Sequence, residues 1–431
     1  MNRRFAALFL CGLLAAVNPT AWAREAACGD PGLEGFSAQR LERVSPVMQS
    51  YVDQRRLAGI VSLIARNGNV VYHESFGYQG IQTGKLMELD SIFRIYSMTK
   101  PVTSVAAMIL YEEGRFQMSD PISKYLPEFA ELQVYAGGEG ADASFVQAQS
   151  PVTIKHLLTH TAGFIYGLAD NEVGRRYRQA NLFDSGLSLE QLTARLATLP
   201  LVHQPGTAWK YGFSTDVLGR LIEVISGQSL DVFMRQRIFE PLGMKDTGFN
   251  VPEEKWERLG EVYGWGPESS LIIKPKEEVL GEFESPPALL SGGHGLVSTA
   301  SDYWRFAQML SNKGSLNGVR ILGRKTVEYM TMNHLPADML PIPAETPGAG
   351  FGLGFSVVVD ESRTKTIESL GNYGWGGYAS TFFWVDPVEN LVGLVLTQFI
   401  PFGFHPYHED FRVLTYQALV DDGPGSCESI H

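Results

Sequence analysis

Asn67-Gly68 sits between two runs of β-branched and aliphatic residues, Ile60-Val61-Ser62-Leu63-Ile64-Ala65 and Val70-Val71-Tyr72-His73. Asn-Gly readily supplies the two positive-φ positions of a two-residue hairpin, so this segment is committed to antiparallel strands. The far end of the chain has the same texture. Residues 355–359, 380–385 and 391–398 read as strands, with Asp386-Pro387 beginning the turn between the last two. Consecutive strands joined by short turns pair antiparallel and need helices on their faces. Residues 36–55 have helical periodicity through Leu41, Val44, Val47, Met48 and Tyr51. Residues 298–302 open a helix that continues through Phe306, Met309 and Leu310, and residues 409–420 form a closing one.

From about residue 116 to 290 the text changes, with helical stretches, few strand patterns, and expected loops at 135–150 and 265–287. Ser214-Thr215-Asp216 is expected to cap a helix with an apolar face of Leu218, Leu221, Ile222 and Ile225, which Gly227 ends. The expected fold class is therefore α/β (α+β): an antiparallel sheet flanked by helices, with an inserted mostly helical region. The sheet-containing parts cover about 24–115 and 291–425, and the helical region about 116–290. No internal repeat interrupts this plan.

Residues 1–23 carry Arg3 and Arg4, an apolar run from Phe5 to Val17, and Ala21-Trp22-Ala23. That is the pattern of a secretory signal peptide, too short in its apolar run to span a bilayer. The expected location is periplasmic or secreted, with residues 24–431 as a single domain and no transmembrane span. Loss of the two arginines makes a chain of formal charge −12 more acidic still, which argues against nucleic acid or an anionic membrane as partner. Cys11 would leave with the leader. Cys28 and Cys427 remain, and in an exported chain the two could pair. No Cys/His cluster has zinc spacing, so neither a metal nor another cofactor is expected.

The chemistry centres on residues 93–110. Val102, Val105, Ala106 and Ile109 recur at the spacing of one buried helical face. Pro101 is tolerated only near a helix start, so the helix begins close to Ser97. Residues three apart share a face, which points Ser97 and Lys100 the same way, beside N–H groups without helical partners. That suits a serine nucleophile: the amine takes its proton and the free amides favour negative charge nearby. A capping serine followed by a solvated lysine has the same spacing.

Other stretches could complete the site. Tyr211, in Pro205-Gly206-Thr207-Ala208-Trp209-Lys210-Tyr211, lies in a turn ahead of a helix, where side chains face clefts; it is also one of 17 tyrosines, most of which pack. Gly371-Asn372-Tyr373-Gly374-Trp375-Gly376-Gly377-Tyr378 leads into a strand, and its glycines would let a substrate lie against main-chain N–H groups or simply form a bulged turn. Ser291-Gly292-Gly293-His294 could bend the chain at a cleft edge, with nothing nearby to support His294 as a base. His156 and His160 have the four-residue spacing of metal ligands, but Leu157 stands where His-Glu-x-x-His needs its glutamate, which favours a structural role.

The order and spacing of these pieces resemble the serine β-lactamase and penicillin-binding-protein superfamily, close to class C β-lactamases and the carboxylesterases built on the same fold. Ser97-Met98-Thr99-Lys100-Pro101 resembles the nucleophile motif, and His156-Leu157-Leu158-Thr159-His160-Thr161-Ala162-Gly163 a structural segment. Pro205-Gly206-Thr207 with Tyr211 resembles the tyrosine motif, and Ile238-Phe239-Glu240-Pro241-Leu242-Gly243-Met244 a further family phrase. The likeness runs over residues 36–420. It implies a site between sheet and helical region, with Ser97 acylated, Lys100 and Tyr211 sharing acid and base duties, and the N–H groups of Ser97 and Tyr378 forming an oxyanion hole beside Trp375, Gly376 and Gly377.

Two departures bear on the substrate. Phe213 stands where the tyrosine motif often has asparagine, and Trp375-Gly376-Gly377 replaces Lys-Thr-Gly, as in the carboxylesterase branch. Groups that would meet a substrate amide and carboxylate are missing, which favours a neutral small-molecule ester. The expected activity is that of an exported serine esterase. The alternatives are a β-lactamase or D-Ala-D-Ala carboxypeptidase, and a catalytically idle binding or sensor protein on this fold. No Gly-x-Ser-x-Gly run supports an α/β-hydrolase.

Overall fold

In the computed structural model, which describes residues 34–281, 283–342 and 347–420, the Asn67-Gly68 turn closes the predicted hairpin. Both residues have positive φ, 53° and 83°, and Arg66 pairs with Asn69 across the turn. The hairpin strands are β1 (Gly59–Arg66) and β2 (Asn69–Gly80), followed by the short β3 (Lys85–Leu86). The late strands are β4 (Ala349–Phe351), β5 (Ser356–Val358), β6 (Tyr373–Gly377), β7 (Thr381–Asp386) and β8 (Leu391–Leu396). All eight form one antiparallel sheet in the order β4-β5-β6-β7-β8-β1-β2-β3. The two ends of the chain thus meet at the β8–β1 pair, with Leu63 opposite Leu394.

Every residue of β1 and β8 is buried, which explains their nearly continuous apolar text: both faces of these central strands are covered. Helices α1 (Val44–Asp53) and α6 (Tyr407–Tyr416) pack on one face, where Met48, Ile60, Ile64, Trp384 and Phe411 share a core. Helix α5 (Ala300–Ser311) covers the other, where Val61, Leu63, Phe306, Phe383 and Leu394 share a core that α2 (Thr99–Glu112) joins. Thr299 caps α5 by accepting the Asp302 N–H.

The region between α2 and α5 carries α3 (Ile154–Leu158) and α4 (Ser214–Ser226), the latter packed on α2. It is less purely helical than expected. Residues 135–150 do not form a loop: Gln133–Gly137 and Ser144–Gln147 make a hairpin, because Val134 faces Val146 and Tyr135 faces Phe145, leaving the glycine-rich centre as its turn. The second expected loop, 265–287, contains the strand Leu271–Ile273, which pairs with Tyr263–Trp265 at the loop's start, and Phe399–Ile400 extends the pair to three strands. The first expected helix divides at residues 42–43 into Ala38–Leu41 and α1. Gly227 ends α4 at φ 73°, but its cap is Phe213 without a side-chain bond, since Asp216 is engaged elsewhere. No helix among the described residues is long and apolar enough to cross a membrane. The leader, Cys28 and Cys427 lie outside the described residues.

Two positions test this packing. Gly393 on β8 faces Trp384 on β7, and a Cβ at Gly393 would lie 2.2 Å from the indole. Gly393→Ala should lose about 2–3 kcal/mol in urea unfolding through overpacking; a loss under about 0.5 kcal/mol would show that the indole moves freely. The second position is His156, whose Nδ1 accepts the Thr153 N–H at 3.2 Å while Thr153 caps the backbone of α3 in return. Burial, with Lys155 and His203 adding to it, pushes His156 down to about 4. The unfolded chain, with an ordinary histidine near 6.5, therefore binds the proton first. This contribution to stability is full above that value and is lost as pH falls toward 4. His156→Gln keeps an acceptor at the same cap position, and should flatten the fall in Tm between those pH values.

Candidate active site

Phe93–Arg94 pairs antiparallel with Val297–Ser298, which draws the strap 291–298 alongside the segment that leads to Ser97. The chain then makes one 3-10 turn, Tyr96–Met98, and enters α2 at Thr99. Pro101 falls in the first turn of α2, where its missing N–H removes no helical bond. Ser97 and Lys100 are consequently one turn apart on one face, and Lys100 Nζ donates to Ser97 Oγ at 3.2 Å. All residues of α2 from Thr99 to Leu110 are buried, and Lys100 is 0% exposed.

A buried amine needs partners. Lys100 Nζ also donates to the Gly293 carbonyl at 2.8 Å, and it lies 4.5 Å from the Tyr211 ring centroid and 5.4 Å from that of Tyr166. The strap reaches the lysine because Gly293 has no side chain: a Cβ there would lie 2.6 Å from Asp216 Oδ2. Asp216 itself, from the first turn of α4, accepts the Gly293 N–H at 3.2 Å and the Ser291 hydroxyl. Thr103 Oγ1 donates to the Gly292 carbonyl at 2.7 Å and fixes the strap to α2.

Tyr211 occupies the turn ahead of α4. Its hydroxyl accepts the Trp375 Nε1–H at 3.1 Å, and its ring lies nearly parallel to Trp209 and 4.9 Å from His160. His160 is wholly buried, and that burial, with the Lys100 charge, holds it well below its ordinary range, so it stands neutral under the tyrosine. Burial likewise raises Tyr166 well above a normal phenol, with Tyr211 and Asp216 adding to the effect. Phe213 is buried against Tyr166 and Phe183 and offers no polar atom. Trp375 is on β6, the strand where the resemblance would put a lysine.

Strand β6 ends against the turn that carries Ser97. A Cβ on Gly377 would lie 2.3 Å from the Ile95 carbonyl, so only glycine lets the strand come this close. Tyr378 follows, with its ring edge-on to Tyr96 at 5.8 Å. Gly376 is covered by Phe402. Contacts thus link Ser97 to Lys100, Lys100 to Tyr211 and Tyr211 to Trp375, and bring Gly377 and Tyr378 against the turn that carries Ser97. His294 lies in the strap, its ring bonded to Ser291, and His156 belongs to a helix cap.

Sequence reasoning did not find the Gly293 carbonyl, Tyr166 or Trp209. It assigned Asp216 to a helix cap rather than to the strap. The Ser291-Gly292-Gly293 run signalled a bend there, but a backbone acceptor leaves no trace in residue identity.

Comparison with known proteins bears on the family and the class of enzyme. The beta-lactamase family profile matches residues 44–417. Protein Rv1367c from Mycobacterium tuberculosis is 34% identical over 359 residues, covering 81% of this chain and 88% of that one. Esterase EstB from Burkholderia gladioli is 30% identical over 404 residues, with 89% and 94% covered. The solved structure of EstCE1, described as a hydrolase with promiscuous acyltransferase activity, superposes with a TM-score of 0.75 at 28% identity, covering 88% of this chain and 99% of its own. The chain belongs to the beta-lactamase family and is an enzyme of its serine-hydrolase class.

Proposed function

We propose that this enzyme is an exported esterase that hydrolyses carboxylic esters through an acyl-enzyme on Ser97. Ser97 Oγ attacks the ester carbonyl while Lys100 and Tyr211 share transfer of its proton, first away from the hydroxyl and then onto the leaving alcohol. The N–H groups of Ser97 and Tyr378 receive the oxyanion, each contributing roughly 3 kcal/mol to the transition state. Water, activated by the same pair, then releases the acid.

The observation that carries the ester reading is the Trp375 Nε1–H on Tyr211 Oη at 3.1 Å. An indole in that place holds the tyrosine and offers a substrate carboxylate no cation, and Phe213 offers a substrate amide no partner. A β-lactam or a D-Ala-D-Ala peptide would bring polar groups to positions that cannot match them. The names of EstB and EstCE1 support the same substrate class. EstCE1's name also favours a second reading, in which an alcohol replaces water in the last step and the acyl group is transferred.

One panel tests this. Wild type should hydrolyse a chromogenic ester, and Ser97→Ala should lose about 1,000-fold or more in kcat/KM. Turnover of a chromogenic cephalosporin or a D-Ala-D-Ala peptide without ester turnover would overturn the reading. Adding a primary alcohol, with ester and acid products followed separately, distinguishes transfer from hydrolysis. Trp375→Phe removes the bond to Tyr211 while keeping an aromatic ring, and should lower kcat by about tenfold; an unchanged kcat would mean that the indole does not position the tyrosine. Localisation of the full chain and N-terminal sequencing of the mature protein test the leader.

A further inference from the structure

A cleft opens beside the strap, lined by Phe183, Phe249, Phe283, Leu289 and His294, and contacts join its lining to the surroundings of Ser97. Phe283 meets Tyr96, the residue before the serine, edge-on at 6.1 Å. Phe183 lies 5.5 Å from Tyr166, which in turn meets Tyr211 edge-on at 5.4 Å. His294 lies 5.7 Å from Phe183 and directly follows Gly293, the acceptor of Lys100.

The hydrogen bonds behind His294 fix which of its nitrogens carries the proton. Ser291 Oγ contacts Asp216 Oδ1, lies 2.8 Å from His294 Nδ1, and accepts the His294 main-chain N–H at 3.0 Å. A hydroxyl has one proton to give. A carboxylate only accepts, so that proton goes to Asp216. The Nδ1 contact must then be Nδ1–H donating to Ser291 Oγ. Burial, reinforced by the Lys100 charge and opposed by Asp216, holds His294 below its ordinary range, so the ring is neutral at neutral pH. Nε2 is left as a bare acceptor, and it has no hydrogen-bond partner among the described residues.

We propose that His294 determines specificity: its Nε2 accepts a hydrogen bond from a hydroxyl group on an otherwise apolar ester seated against the Phe183–Phe283 wall. A plain hydrocarbon chain in that cleft would strip water from Nε2 and leave it unpaired. A hydroxyl at the same place satisfies it, and such asymmetry is what separates matched from unmatched ligands. The proposal rests on the esterase reading. The hydroxyl could belong to the acyl part or to the alcohol part of the ester.

Paired substrates decide between these sources. The acyl arm compares the para-nitrophenyl esters of butyric acid and of its β-hydroxy counterpart. The alcohol arm compares n-butyl butyrate with the monobutyrate of the corresponding terminal diol, followed by acid release. In one arm, wild type should favour the hydroxylated partner by about three- to tenfold in kcat/KM. That ratio should fall to about one in His294→Leu and be partly restored in His294→Gln, which keeps an acceptor. A ratio taken within one enzyme does not depend on how much of it is folded. No preference in either arm, or a preference that survives in His294→Leu, overturns the proposal while ester turnover itself leaves the esterase reading standing. Absence of turnover of all four esters by wild type overturns both.

Discussion

The Lys100 ammonium group is wholly enclosed, and much of the site follows from what that enclosure demands. Its solvation has to be replaced by fixed groups, and it is: the Gly293 carbonyl, the Ser97 hydroxyl and the faces of Tyr211 and Tyr166. A main-chain carbonyl can reach the first turn of α2 only if the strap that carries it passes between α2 and α4. That passage requires glycine at 293 and draws the Asp216 carboxylate onto the strap's N–H and hydroxyl donors. The lysine is therefore held by a chain of contacts that joins the sheet-bearing part of the molecule to the helical region.

The same constraint arranges the aromatic groups. Tyr211 sits over the lysine, clamped by Trp209 on one side, by His160 on another and by the Trp375 indole at its oxygen. Trp375 comes from the central sheet, so the register of β6 against β7 sets the position of a group attached to the helical region. Glycine at 377 then lets the end of β6 touch the turn that carries Ser97. Lys100 and Tyr211 are thus held from several sides by groups that are mostly aromatic.

Sequence patterns made much of this legible, because they report local requirements. Asn67-Gly68 demands a tight turn, Val102 to Ile109 demands a buried helical face, and Ser97 and Lys100 fall on one side of it whatever the rest of the chain does. The departures came where a tertiary partner overrode a local signal. Glycines at 137, 138 and 140 suggested a loop, yet the Val134–Val146 and Tyr135–Phe145 pairs close a hairpin around them. Asp216 has the residue type and place of a helix cap, but the buried donors of the strap hold it instead.

By itself, then, the sequence determined most of the strand and helix segments, the placing of Ser97 and Lys100 on one face, and the family to which the chain belongs. Each depends on spacing along the chain, which periodicity and turn chemistry record. Tertiary structure alone decided that the chain's two ends join at the β8–β1 pair, that a backbone carbonyl at Gly293 holds Lys100, and that Trp375 bonds to Tyr211 across 164 residues of sequence. These are contacts between remote segments made by backbone atoms and ring edges, and their geometry is set by packing rather than by any local preference of the residues involved.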